Sequence, residues 1–146
     1  MKAIIQRVTS ASVTVDKNVS GKINAGFLVL LGIKSTDTKQ DVDYMVKKII
    51  NLRIFRDEKD KMNLSLKDVN GELLIVSQFT LYGNASGGNR PSFIEAAKPE
   101  IALPLYEYFI SECKKQIKIV QTGKFGADMK VELLNDGPVT IILESK

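Results

Sequence analysis

The chain has 146 residues, 44% hydrophobic and 26% charged, with a net charge of +4, the balance of one globular domain with a real core to bury. It has no histidine, which excludes Ser-His-Asp and Cys-His hydrolases and His-based zinc sites, and one cysteine, which excludes an internal disulfide. The mild positive charge suits a polyanionic partner without requiring one.

Taken in chain order, "AIIQRVTSASVTV" predicts two short alternating strands, rich in Val, Ile and Thr. "DKNVSGKI" predicts a hairpin connection, and "GFLVLLGI" a strand buried on both faces. "STDTKQDVDYMVKKIINLRIF" predicts a helix with Thr and Asp capping candidates and Val42, Met45, Val46 and Ile49 on one face. Leu52, Ile54 and Phe55 then alternate with Arg53 and Arg56, a return to strand, and "RDEKDKMN" reads as a charged loop. "GELLIVSQFTLYG" is the most strand-like stretch, and "NASGGNRP" is a polar, Gly-rich loop. "SFIEAA" has Ser92 and Glu95 in capping-box spacing, and "PEIALPLYEYFISECKKQI" predicts a second helix along Ala102, Leu105, Phe109, Ile110 and Cys113. "IKIVQTG", "MKVELL" and "VTIILES" complete the strands, the last two joined by a hairpin turn at "NDG". With no repeat and no linker, residues 1–146 predict a single α+β domain. No stretch approaches the ~20 apolar residues of a membrane span, and the N-terminal patch alternates too soon for a signal peptide, so a cytoplasmic protein is expected.

Several stretches can carry chemistry. Ser77, Gln78 and Thr80 are polar residues at the end of an apolar strand; they are either hydroxyls at a strand exit or, with the loop that follows, an anion-binding turn. Thr80 offers a nucleophilic hydroxyl, but no base stands near it in sequence. The loop "GNASGGNRPSF" lacks the Gly-Lys-Ser/Thr ending of a P-loop, and Arg90 reads as a surface residue or a phosphate contact. Lys114, Lys115, Lys118, Lys124 and Lys130 form a phosphate track only if the fold gathers them on one side. Cys113 reads as a packed thiol. Pro138 is unexpected, because it removes a backbone donor where a strand should resume its ladder.

"SQFTLYG", followed about sixty residues later by "NDGPVT", with "IIQRV" near the start and "NRPSF" and "FGADMKVELL" between, closely resembles the D-aminoacyl-tRNA deacylases over essentially the whole chain. The resemblance implies a mainly antiparallel, barrel-like sheet with two main helices, and a cytoplasmic homodimer with active sites at its interface. It implies hydrolysis of the ester joining a D-amino acid to the 3′-terminal adenosine of tRNA, and of glycyl-tRNA mischarged on tRNA(Ala), without metal or cofactor. By the same resemblance Ser77, Gln78, Phe79 and Thr80 line the pocket for the aminoacyl-adenosine end. Gly137 and Pro138 form a Gly-cis-Pro element entering the partner's pocket; Arg7 holds that element, and Phe125 lies near the adenine. Two mechanisms stay open: backbone N–H groups with the substrate's own 2′-hydroxyl, or a Thr80 nucleophile. A non-catalytic RNA-binding module and a purely structural dimer are the competing classes.

Overall fold

Alternation of apolar and polar residues near the N-terminus builds one strand where two were expected. The computed structural model describes residues 1–146, and in it β1 runs unbroken from Lys2 to Val15. On one edge β1 pairs antiparallel with β3 (Gly26–Gly32) over Lys2 to Val8, then with β2 (Asn18–Ile23) over Ala11 to Val15. Along its other edge it pairs with β8 (Lys130–Glu144). A long strand thus serves three partners, and its ladder with β8 is irregular between Gln6 and Ser10.

The continuous apolar run of β3 has the predicted cause, since both of its faces are covered. Phe27, Val29 and Leu31 join a core under the helices, while Leu28 points into a second cluster inside the curled sheet. Beyond β3 the chain departs from simple antiparallel pairing. β6 (Glu72–Ser77) lies parallel to β3, and β7 (Val120–Thr122) parallel to β6, each after a crossover. The remaining pairs of the order β2-β1-β3-β6-β7, with β8 on β1, are antiparallel. The two ends of that order nearly meet. Ser20 Oγ donates to the Thr122 carbonyl at 3.0 Å, and a Cβ on Gly21 would stand 2.8 Å from the same oxygen. The result is an α+β fold with a mixed, mainly antiparallel, nearly closed barrel-like sheet.

Two helices cover the outer core. α1 (Lys39–Ile50) buries Val42, Met45, Val46, Ile49 and Ile50, and its first turn is held by the Asp41 carboxylate, which accepts the Thr38 N–H at 2.8 Å. α2 (Pro99–Lys114) begins at a proline whose missing N–H costs nothing there, and buries Ala102, Tyr106, Phe109 and Cys113. Leu105 and Ile110 sit at the edge of that face, half-buried. The buried Tyr106 hydroxyl donates to the Ile75 carbonyl at 2.9 Å, tying α2 to β6. No helix is long and apolar enough to cross a membrane.

Four local expectations are corrected. The strand through "GELLIVSQFTLYG" stops at Ser77. Gln78 N–H makes a last bond to the Leu31 carbonyl at 2.8 Å, and Phe79–Tyr82 then forms a short 3-10 turn. The Ser92–Glu95 box starts no helix. Ser92 exchanges two backbone hydrogen bonds with Asn84, Ala97 N–H goes to the Ile33 carbonyl, and Glu95 pairs with Lys34 at 3.0 Å, so the donors a helix would use are already taken. The segment after α1 yields only β4 (Phe55–Arg56), joined to β5 (Met62–Leu64) by the charged turn. Finally, "NDGPVT" is not a hairpin. Both halves of β8 pair with the same long β1, so residues 136–139 are a bulge within one strand.

Candidate active site

The first half of the site is where β6 runs out of partners. Ser77 pairs with Leu31 at the end of the ladder, and the chain then tightens into the 3-10 turn. Leu81 N–H is the first in that turn to find an acceptor, the Gln78 carbonyl at 3.3 Å. The Phe79 and Thr80 N–H groups precede it and have no intrahelical acceptor, the usual condition of a helical N-terminal end. Thr80 is exposed, and its hydroxyl is hydrogen-bonded by the side-chain amide of Gln78, a donor that cannot withdraw a proton. The Phe79 ring is 57% exposed and meets Phe93 edge-on, with ring centroids 5.2 Å apart. Phe93 was visible only as part of "NRPSF"; its contact with Phe79 depends on the Asn84–Ser92 bridge, which local sequence does not announce.

Phe125 follows β7, whose Thr122 pairs with Ile75, so it lies at the same end of the sheet as Ser77. It is half-buried, with its ring 5.6 Å from that of Tyr106. Burial raises the Tyr106 phenol well above its ordinary range and keeps it a neutral donor. Tyr82 is raised as well, by burial first and then by the carboxylates of Asp37 and Glu144.

The second half is the bulge in β8. Arg7 is only 2% exposed, and its guanidinium reaches two carbonyls: Nε donates to Asp136 O at 2.8 Å and Nη1 to Ile54 O at 2.6 Å. The Asp136 carboxylate adds a contact at 3.6 Å. Asn135 spans the bulge, accepting Val139 N–H at 2.7 Å and donating to the Val139 carbonyl at 3.2 Å. Asn135 thus replaces ladder bonds that the bulge removes, a role that the hairpin reading had hidden. Between these anchors Gly137 and Pro138 are exposed, and the bond between them is cis. Gly137 has φ +146°, and a Cβ there would lie 2.7 Å from Val139 Cγ2 and 3.2 Å from Arg7 Nη2. Only glycine fits that backbone beside that guanidinium.

One chain does not bring the two halves together. Ser77 is level with Leu31 and Ala3, whereas the bulge is level with Arg7, three strands across and four residues along. At ~4.8 Å per strand and ~3.3 Å per residue, the path between them along the curved sheet is on the order of 20 Å. No group of three or more Cys, Asp or Glu is gathered in a metal-binding arrangement.

The D-Tyr-tRNA(Tyr) deacylase family matches residues 4–144. The chain belongs to this family. It is thereby an enzyme, a deacylase. A D-aminoacyl-tRNA deacylase of Flavobacterium psychrophilum is 57% identical over 147 residues, covering 100% of this chain and 98% of the relative. One from Clostridioides difficile is 60% identical over 145 residues, covering 99% and 97%. Among solved structures, a c-Myc DNA unwinding element binding protein is similar at TM-score 0.95 and 46% identity, covering 100% of this chain and 99% of that one. A probable eukaryotic D-amino acid tRNA deacylase superposes at TM-score 0.85 with 16% identity, covering 97% of each chain, which speaks to the fold alone.

Proposed function

We propose that this protein hydrolyses the ester of D-aminoacyl-tRNA, using the turn at Ser77–Thr80 of one copy and the Gly137–Pro138 bulge of a second. The observation that carries this reading is the pair of unbonded N–H groups at Phe79 and Thr80, beside a hydroxyl that lacks a base. Two N–H groups at a turn end suit the negative charge that develops on an ester carbonyl oxygen under attack. Water is the nucleophile. The 2′-hydroxyl of the terminal ribose assists its attack, and the 3′-oxygen leaves with a proton as tRNA is released. Thr80 needs no activation in this scheme, in keeping with its amide partner.

Chirality is read by backbone. The bulge is held by Arg7, Asn135 and Val139, so its exposed carbonyls have fixed directions and can accept hydrogen bonds from the substrate α-ammonium. A side chain of L configuration would collide with this wall, while a D side chain points away from it. Rejection by collision needs no recognition of the side chain itself. Glycine has nothing to exclude, so glycyl-tRNA mischarged on tRNA(Ala) is also a substrate. Phe125 borders the adenine end.

Assembly from two copies is supported by the ~20 Å path along the sheet between the two halves in one chain and by the outer face of β8. There Leu134 and Ile142 are 62% and 66% exposed on a strand whose one partner is β1. The protein is read as a cytoplasmic homodimer.

The test is ester loss from D-Tyr-tRNA and L-Tyr-tRNA. Selective loss of the D form is expected; protection of both esters would favour an RNA-binding module. Mixed subunits test the shared site. Thr80→Pro removes one N–H, and Gly137→Ala displaces the bulge. Each homodimer should be impaired, and their heterodimer should recover one intact site. No recovery would place both halves in the same subunit.

A further inference from the structure

Of the lysines that make the C-terminal portion basic, the fold gathers Lys115 and Lys118 with the distant Lys67. They line a groove of about 910 Å³ between the loop leading into β6 and the C-terminal end of α2. Its floor includes the buried Leu66 and Ile117, and its rim is polar. Three cations face one carboxylate, Glu72, whose Oε2 is already occupied by the Asn24 N–H at 2.7 Å. Lys67 spends one of its donors on neutral Gln116 Oε1 at 2.8 Å and keeps the others free. Lys115 is paired with Glu112, and Lys118 makes no ion pair. All three lysines are exposed. The groove therefore keeps a net positive charge, since Lys67 and Lys118 have no ion-pair partner.

We infer that this groove seats the phosphodiester backbone of the substrate tRNA near its acceptor end. The assignment rests on the deacylase reading, which supplies a polyanionic substrate. Its position is suitable. Glu72 in the groove and Ser77 at the site are the two ends of β6. At ~3.3 Å per residue the strand separates them by roughly 17 Å. Leu73–Val76 between them are buried, so an RNA strand takes a longer route over the outside of α2, whose 16 residues at ~1.5 Å each span roughly 24 Å, or about seven nucleotides at ~3.4 Å. An RNA with its 3′ end in the pocket and running along α2 thus brings phosphates to Lys67 and Lys118. The groove contacts no reacting atom, so it contributes to binding and leaves the chemical step alone.

The experiment compares wild type with the Lys67→Gln/Lys118→Gln double variant on D-Tyr-tRNA and on D-tyrosyl-adenosine, which has no phosphate. Each phosphate contact contributes about 0.7–0.9 to the slope of log affinity against log salt. At about 50 mM salt the variant should raise KM for D-Tyr-tRNA by about tenfold or more and lower the salt slope of kcat/KM by about 1.5. Activity on D-tyrosyl-adenosine should be unchanged, which also reports an intact fold, and Lys67→Arg/Lys118→Arg should restore the salt slope. An active wild type with KM and slope unchanged in the variant overturns the groove assignment alone. A wild type inert on both substrates overturns the deacylase reading beneath it.

Discussion

Replacing Arg7 with Met tests whether one buried guanidinium holds the Asp136–Pro138 backbone in place. Methionine fills much of the same space and removes both charge-assisted bonds, at 2.8 Å to Asp136 O and 2.6 Å to Ile54 O. The Ile54 carbonyl is buried, and leaving it without a donor costs about 1–3 kcal/mol. Asp136 is exposed, so water can take over its carbonyl and the loss there is nearer 1 kcal/mol. Removing a desolvated cation offsets about 1 kcal/mol of this. The net loss is about 1–3 kcal/mol, which for a chain of this size lowers Tm by roughly 3–10 °C. Deacylation of D-Tyr-tRNA should fall further than stability requires, measured well below the new Tm, because the bulge loses its anchor. Arg7→Lys should be intermediate, since an ammonium lacks the fork that serves two carbonyls. A Met variant whose Tm stays within about a degree of wild type, with D-over-L selectivity intact, would refute the reasoning.

Thr80→Ala keeps the backbone N–H and should retain most turnover, whereas Thr80→Pro removes it and should cost about 10²–10³ in kcat; loss of turnover in the alanine variant with normal tRNA binding would favour a Thr80 nucleophile. Burial, assisted by Glu112, pushes the Cys113 thiol up to about 12, so thiol labelling of the native protein at about pH 8 should be at least a thousandfold slower than of the unfolded chain. Fast native labelling would contradict the packing of α2. For Asp41, burial opposes the charge, but hydrogen bonds from Ser145 and Thr38 and the nearby N-terminal ammonium outweigh it and lower the carboxyl below its ordinary value. Because the folded value is depressed, the stabilisation is present above the unfolded pKa of about 3.9 and lost as pH falls through the folded value. Asp41→Asn should therefore lower Tm by a few degrees at neutral pH, with the difference from wild type fading in acid melts below about pH 4.

What could be read from residue patterns was whatever short-range periodicity dictates. The apolar run of β3 and the spacing of Val42, Met45, Val46 and Ile49 announce elements whose burial the fold then supplies. Periodicity left Ser77–Thr80 as a strand exit and Gly137–Pro138 as part of a turn; their place in a site was implied only by the resemblance to the deacylases. Misreadings fell where a distant partner outbid the local signal. Ser92 and Glu95 have capping-box spacing, but Asn84 and Lys34 occupy their hydrogen-bonding groups. "NDG" has hairpin chemistry, but a 14-residue β1 offers a ladder to both sides of it and turns it into a bulge.

Composition alone determined that no histidine takes part, and local pattern determined two helices and most of the strands. Only tertiary structure decided that Arg7 reaches Ile54 and Asp136, that Asn135 spans the bulge, and that Lys67 joins Lys115 and Lys118 around one groove. The physical reason is range. Propensity and periodicity act over a few residues, whereas the Arg7 and Lys67 contacts join positions 47 to 129 residues apart, brought together only when apolar burial closes the sheet. Asn135 meets Val139 only because the long β1 ladder turns the stretch between them into a bulge.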